Sequence, residues 1–235
     1  MHLGNQDDKC RTFINCQLNP ESKVPFAHAK LRPAVTVSRQ TGAGAMVVAE
    51  ELAEFFQRRE PGSCRWMIFD KNLAEKVLEE HKLPKEIAQF MPEDRVSTIQ
   101  DAVEEILGLH PSSRTLRQLT TETMQHLAGL GHVILIGRAA NIITQQMPNV
   151  FHVRLVAPLD QRVQRVMTLR QLDHQAALRV VQQSDLGRAR YLKNHFHSNI
   201  DDNLQYDLVI NTGRIPHPEV ARLIGDAVLH WLETL

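Results

Sequence analysis

The run Ala34-Val35-Thr36-Val37-Ser38-Arg39-Gln40-Thr41-Gly42-Ala43-Gly44-Ala45-Met46-Val47-Val48 decides how this chain is read. Ala34 to Ser38 are β-branched or small, the composition of a buried strand, and a turn containing Gly42 and Gly44 follows at once. From Ala45 onward Val48, Leu52, Phe55 and Phe56 recur at spacings of three and four, which predicts a helix with Glu50, Glu51 and Glu54 toward water. Strand, glycine turn and helix in that order aim backbone N–H groups and a positive helix end at one point, as a phosphate requires. In the standard loop, G-x-x-x-x-G-K-[ST], the lysine reaches terminal phosphates and the hydroxyl binds magnesium. With Gly44 as the second glycine, Arg39 stands at the first, Ala45 at the lysine and Met46 at the hydroxyl. On these residues alone, a phosphate loop and an ordinary tight strand-to-helix turn both remain open.

Outward from that run, strands and helical periods alternate. Short strands are expected over Trp66–Phe69, Val133–Ile136, Val150–Val156 and Leu208–Ile210, the last ended by Asn211. A mostly helical stretch over 71–130, broken near Pro84, Pro92 and Pro111, reads as a helical insertion. A helical connection fits Ala139–Thr144, and Pro158 suits the first turn of a helix running to about Arg170. Asp173 suits the N-cap of another helix through His197. The closing helix, from Pro218, carries Val220, Leu223, Ile224, Ala227 and Trp231 on its predicted apolar face. Five strands with helical crossovers imply a parallel sheet in an α/β fold. Residues 1–33, polar and irregular, read as an arm.

At 235 residues, with 43% apolar and 23% charged residues, the chain can bury one sizeable core. Its 27 basic and 27 acidic residues cancel, so neither a nucleic acid nor a membrane surface is an expected partner. The charge is uneven, however: 70–105 holds ten acidic against five basic residues, and 154–193 holds eight basic against three acidic. Cys10, Cys16 and Cys64 include no close Cys-x-x-Cys pair and are read as reduced thiols. No run approaches the roughly 20 apolar residues of a membrane span, and the polar first residues do not resemble a secretory signal. A cytoplasmic protein is expected.

Four segments taken together resemble the cytidylate kinase-like family. They are the opening strand with Ser38-Arg39 and Gly42-Ala43-Gly44; Ile134-Leu135-Ile136-Gly137-Arg138-Ala139-Ala140-Asn141; Pro148 to Leu159 followed by Arg162 and Arg165; and Asp185-Leu186-Gly187-Arg188-Ala189-Arg190-Tyr191 with Tyr206-Asp207-Leu208-Val209-Ile210-Asn211-Thr212. Their order and spacing also agree, over most of 34–230. The resemblance implies a P-loop, three-layer α/β/α fold with a five-stranded parallel sheet, a helical insertion over the acceptor nucleotide (about 71–130) and an arginine-bearing lid over the donor (about 173–200). It implies nucleotide ligands, with ATP and magnesium as donor. Family members often lack the loop lysine too, but commonly carry Gly and Arg where this chain has Ala45 and Met46.

The resemblance also assigns roles. Arg188 and Arg190 are the lid cations that neutralise a transferring phosphoryl group, against the alternative of a solvated helix face. Arg39 is a substitute for the missing lysine or a salt-bridged loop residue. Ser38, Thr41, Gly42, Ala43 and Gly44 form the donor loop, while Arg162 and Arg165 flank the nucleotide or cover the sheet with their stems. Asp70 and Arg138 face the acceptor, Arg138 by a bidentate phosphate pair and Asp70 there or as a helix N-cap. No protein ligand for the metal is evident: Met46 cannot ligate magnesium, and the strand ending Ile136-Gly137 offers no carboxylate. The close pair His195 and His197 is expected on the lid surface rather than at a metal. Two functions follow: a phosphotransferase from ATP to a nucleoside monophosphate or similar acceptor, and a non-catalytic nucleotide or anion sensor. A nucleic-acid module on the basic 154–193 surface is the third, weakened by the scarcity of aromatics there.

Overall fold

The computed structural model describes residues 32–60, 64–70, 113–137 and 139–235, and for 113–120 the backbone alone. Most of the expected arm, residues 71–112 of the expected 71–130 insertion and Arg138 lie outside the described residues, while 113–130 forms a helix whose Met124, Leu127 and Ala128 pack on the sheet. The described elements are β1 (Ala34–Arg39), α1 (Ala45–Arg59), β2 (Met67–Phe69), α2 (Ser113–Leu130), β3 (Val133–Ile136), α3 (Ala140–Ile143), β4 (Val150–Val156), α4 (Leu159–Arg170), α5 (His174–Phe196), β5 (Leu208–Asn211) and α6 (His217–Glu233), with a 3-10 turn at Asn203–Gln205 before β5.

All five strands are parallel, in the order β2-β3-β1-β4-β5. The strand from the decisive run is therefore central, with Val37 beside Ile136 on one side and Val153 on the other. Alternation along each strand sorts the core into two faces. Val35, Val37, Ile134, Ile136, Val153 and Leu155 pack with Leu52 and Phe56 of α1 and Ile224 of α6. Ala34, Val133, Leu135 and Val150 pack on the other side with Met124 and Leu127 of α2 and Ile143 of α3. Because the central strands are covered on both sides, they read as continuous apolar runs rather than as alternating ones. A separate contact joins α4 to α5 through Val163, Val166, Ala177 and Val181.

The elements differ from expectation in three places. Trp66 precedes β2 and instead stacks on Phe56, ring centroids 4.0 Å apart. On α6, Leu223 is exposed while Ala221, Val228 and Leu232 are buried. Gly225 accounts for this shift: a side chain there would strike the Phe55 ring, so α1 lies against the backbone of α6 and turns the buried stripe toward itself. Cys64 is buried and disulfide-bonded, which corrects the reading of three reduced thiols. A bridge requires closeness in space, which spacing along the chain does not report.

Candidate functional site

Parallel strands place all their carboxyl ends on one edge, where the loop after β1, Asp70 after β2, Gly137 after β3 and Ala157 after β4 come together. Gly42 and Gly44 both have φ of 82°, in the left-handed region that a side chain disfavours. A Cβ on Gly42 would meet the backbone of Arg162, and one on Gly44 the ring of His217. The loop is thus pressed between the starts of α4 and α6.

Hydrogen bonds hold the loop's carbonyls from outside. Arg162, buried, donates from Nε to Ala157 O at 2.9 Å and from Nη1 to Thr41 O at 3.2 Å. Arg165 donates to Gly42 O at 3.2 Å and to Thr212 O at 2.8 Å. Thr212 Oγ1 donates to Ala43 O at 2.9 Å, and Gln40 Oε1 accepts from Ala157 N at 3.0 Å. Arg162 and Arg165 therefore touch the loop itself.

The other side of Thr41 meets Asp185 of α5. Thr41 N donates to Asp185 Oδ1 at 2.7 Å, and the Thr41 hydroxyl reaches the same oxygen at 2.7 Å. Arg188 Nη1 donates to Oδ1 at 2.9 Å and to Thr41 Oγ1 at 2.6 Å, while Arg162 Nη1 pairs with Oδ2 at 2.6 Å. One carboxylate thus sits among a backbone N–H, a hydroxyl and two guanidinium groups. Burial lowers the Arg188 pKa from its ordinary value, and the charge of Asp185 opposes that shift. A guanidinium keeps its charge through such a shift.

Beside this cradle lies a cavity of about 330 Å³, whose lining includes Ser38, Arg39, Gly137, Asn141, Arg188 and Tyr191. The Arg39 guanidinium lies over Gly137, whose φ of 85° and lack of a side chain leave that space. Below it, buried Arg154 donates to Ser38 Oγ at 3.1 Å and Asp201 Oδ1 at 2.6 Å, with its guanidinium over the Tyr206 ring. Asp70 is half-buried at the end of β2. At the loop's far end, the Nε2 of His217 is buried without a hydrogen-bond partner. Burial, and then the nearby Arg165, lowers the His217 pKa, which favours the neutral ring.

The structure therefore brings together Ser38, Arg39, Thr41, Gly42, Ala43, Gly44, Arg162, Arg165 and Arg188 around the loop and cavity. Arg190 is exposed and takes no part in the cradle, because two positions along a helix separate it from the face of Arg188. His195 and His197 are exposed, and among the described residues no group of three or more His, Cys, Asp or Glu is placed to hold a metal ion. No described helix is long and apolar enough to cross a membrane. Asp185, Asn141, Arg154 and Thr212 join the site although no role was expected of them. Each lay within a family-like segment, which was the available signal.

A central strand feeding a glycine loop and helix, with crossovers on both faces and a long arginine-bearing helix against the loop, defines a P-loop kinase fold. The family model of the cytidylate kinase-like family matches residues 34–214, and the chain belongs to that family. Among solved structures, an uncharacterised protein from Eubacterium ventriosum is 19% identical with a TM-score of 0.62, covering 84% of this chain and 98% of that one. This likeness is one of fold. Shikimate kinase from Acinetobacter baumannii is also similar, at 14% identity and a TM-score of 0.45 over 85% of this chain and 94% of that one. A uronate isomerase of Corynebacterium glutamicum is 28% identical over 117 residues, covering 50% of this chain and 22% of the relative, so the chain spans under a quarter of that curated protein.

Proposed function

We propose that this protein is a phosphotransferase that moves a phosphoryl group from ATP to a nucleoside monophosphate or a similarly small acceptor, with Arg188 and Arg39 neutralising the transferred charge. The observation that carries this reading is the seat of Asp185: a carboxylate oxygen held by Thr41 N–H and Arg188 occupies the kind of place that a terminal phosphate oxygen needs. Bound ATP supplies the transferable group: an acceptor oxygen forms the new P–O bond as the bond from the γ-phosphorus to the bridging oxygen breaks and ADP leaves with that electron pair.

The chain's own residues supply position and charge. The Thr41-Gly42-Ala43-Gly44 loop holds the donor phosphates, through Thr41 N–H once Asp185 yields it and through the N–H groups of Gly42 and Gly44, while Ala43 N–H closes the turn on Gln40 O and Arg162 and Arg165 fix the loop's carbonyls. Arg188 and Arg190 travel with α5 as the lid, Arg188 at the phosphates and Arg190 on the exposed flank. Ser38 belongs with the donor loop and Asp70, at the end of β2, with the acceptor side. The acceptor role of Arg138, which lies outside the described residues, is carried by the family resemblance alone. The described residues do not fit a protein-bound magnesium: the loop's hydroxyl position is Met46, exposed and without a metal-binding oxygen in its side chain. The neutralisation argued here rests on the guanidinium groups, with any magnesium carried by the triphosphate. A cytoplasmic location accords with this substrate.

Ala45 and Met46 in the loop favour a second reading, an anion or nucleotide sensor without turnover. A coupled assay with ATP, magnesium and a panel of nucleoside monophosphates, run beside nucleotide-induced thermal shift, separates the two. Turnover on at least one acceptor is expected, with Arg188→Ala lowering kcat/KM by roughly 10²-fold or more. A thermal shift without turnover on any acceptor selects the sensor, and neither signal removes both readings.

A further inference from the structure

The cavity beside the loop contains one polar group whose local bonding is incomplete. Asn141, on α3, is 5% exposed, lines the cavity, and its Nδ2 is buried without a hydrogen-bond partner. Two other polar groups of the same lining are engaged elsewhere: Thr36 Oγ1 with His152 Nδ1 at 2.8 Å, and Ser38 Oγ with Arg154 at 3.1 Å. A buried amide donor left unpaired is costly to a fold, and such groups in native structures call for an explanation.

The groups around Asn141 indicate what would satisfy it. Arg39 and Arg188 bring positive charge to the same cavity, while Val37, Ala140 and Ile200 give it apolar wall. About 330 Å³ is near the lower end of the roughly 300–1,000 Å³ spanned by small-molecule pockets, so the occupant is compact. We infer that Asn141 is a specificity-determining residue of the acceptor side: the cavity takes a compact phosphate monoester, one of whose oxygens accepts a hydrogen bond from Asn141 Nδ2. A site that hydrogen-bonds its ligand through a buried group discriminates strongly against molecules lacking the matching oxygen, because the group is then left unpaired.

This inference rests on the phosphotransfer reading only in naming the cavity the acceptor side, and it is tested by binding without ATP, so the two fail separately. Calorimetric titrations with CMP, ribose 5-phosphate and inorganic phosphate would be run on the natural chain, on Asn141→Leu and on Asn141→Asp, together with the melting temperature of each unliganded protein. Leucine keeps the branched shape and removes the orphaned donor, so the unliganded melting temperature is expected to hold or rise while affinity falls at least tenfold. Aspartate places a negative charge beside the anion and is expected to weaken binding at least as much. Losses for all three probes assign the contact to the phosphate, and a loss confined to CMP assigns it to the base or its sugar linkage; either supports the inference. A nonhydrolysable ATP analogue should bind all three proteins within about twofold. The inference is overturned if the natural chain binds none of the three probes, or if Asn141→Leu keeps their affinity. It is equally overturned if Asn141→Leu lowers the melting temperature and weakens the ATP analogue as much as CMP, since Asn141 would then be supporting the fold.

Discussion

At the scale of residues, the Asp185 carboxylate has two effects that a substitution can separate. It pairs with Arg162, whose side chain is only 8% exposed, and it occupies the loop's anion position at Thr41. Removing one partner of a buried pair destabilises the charge left behind, whereas vacating the cradle frees donors for a phosphate. Asp185→Asn is therefore expected to lower the unliganded melting temperature by a few degrees, since about 1 kcal/mol shifts a domain of this size by roughly 2–4 °C. On the proposed reading, the same variant binds a nonhydrolysable ATP analogue several-fold more tightly, which calorimetry would read directly. Unchanged or weaker binding in a folded variant would show that the carboxylate does not compete with phosphate. The sequence exposed part of this arrangement. Gly42, Gly44, Thr41 and Arg188 announced themselves through loop context and family resemblance, but the partnership of Thr41 with Asp185 spans 144 positions and carries no local signal. Asn141 was visible only as a member of a family-like segment, because an unpartnered Nδ2 is a property of the fold and not of the sequence.

At the scale of elements, local chemistry was legible where it acts within a few residues. Asp173 was expected to cap α5 and does, accepting from Ala176 N at 2.8 Å while α5 begins at His174. The cap matters beyond local helix stability, since α5 carries Asp185 and Arg188 to the loop. Asp173→Ala should destabilise the protein by about 1 kcal/mol, a typical value for a lost N-cap, measurable as a shift in urea midpoint with an unchanged slope. A change in slope would mean instead that α5 no longer unfolds with the rest. The buried strands β1, β3 and β4 were equally legible, because being covered on both faces leaves near-continuous apolar runs. What was not legible depends on which neighbour each element meets. The buried stripe of α6 is set by Phe55 resting on Gly225, and the expected place of Leu223 in that stripe rested on the period of α6 alone. Cys64 likewise reveals its bridge only in the folded chain.

At the scale of the whole molecule, burial shifts His126, His132 and His152 toward their neutral form. His132, 5% exposed between α2 and β3 and beside the Trp66 ring, has its pKa lowered from 6.5 to about 4, first by burial and then by the charge of Arg32. Burial also lowers His126 and His152, in the latter against the pull of Asp207, while burial of Glu60 raises its pKa and so acts in the opposite sense. Between pH 6.5 and about 4 the unfolded chain binds a proton at His132 that the folded chain does not. Stability from this group is therefore complete above pH 6.5 and is lost as pH falls through the window. From pH 7.5 to pH 5 that loss amounts to about 2 kcal/mol for this one residue. His132 has φ of 55°, so Asn, which tolerates the left-handed region, is the replacement that separates titration from backbone strain. Urea unfolding at the two pH values should show the natural chain losing about 2 kcal/mol more than His132→Asn over that interval. Equal losses in the two proteins would move the acid sensitivity elsewhere, to His126 and His152, whose pKa values burial also lowers.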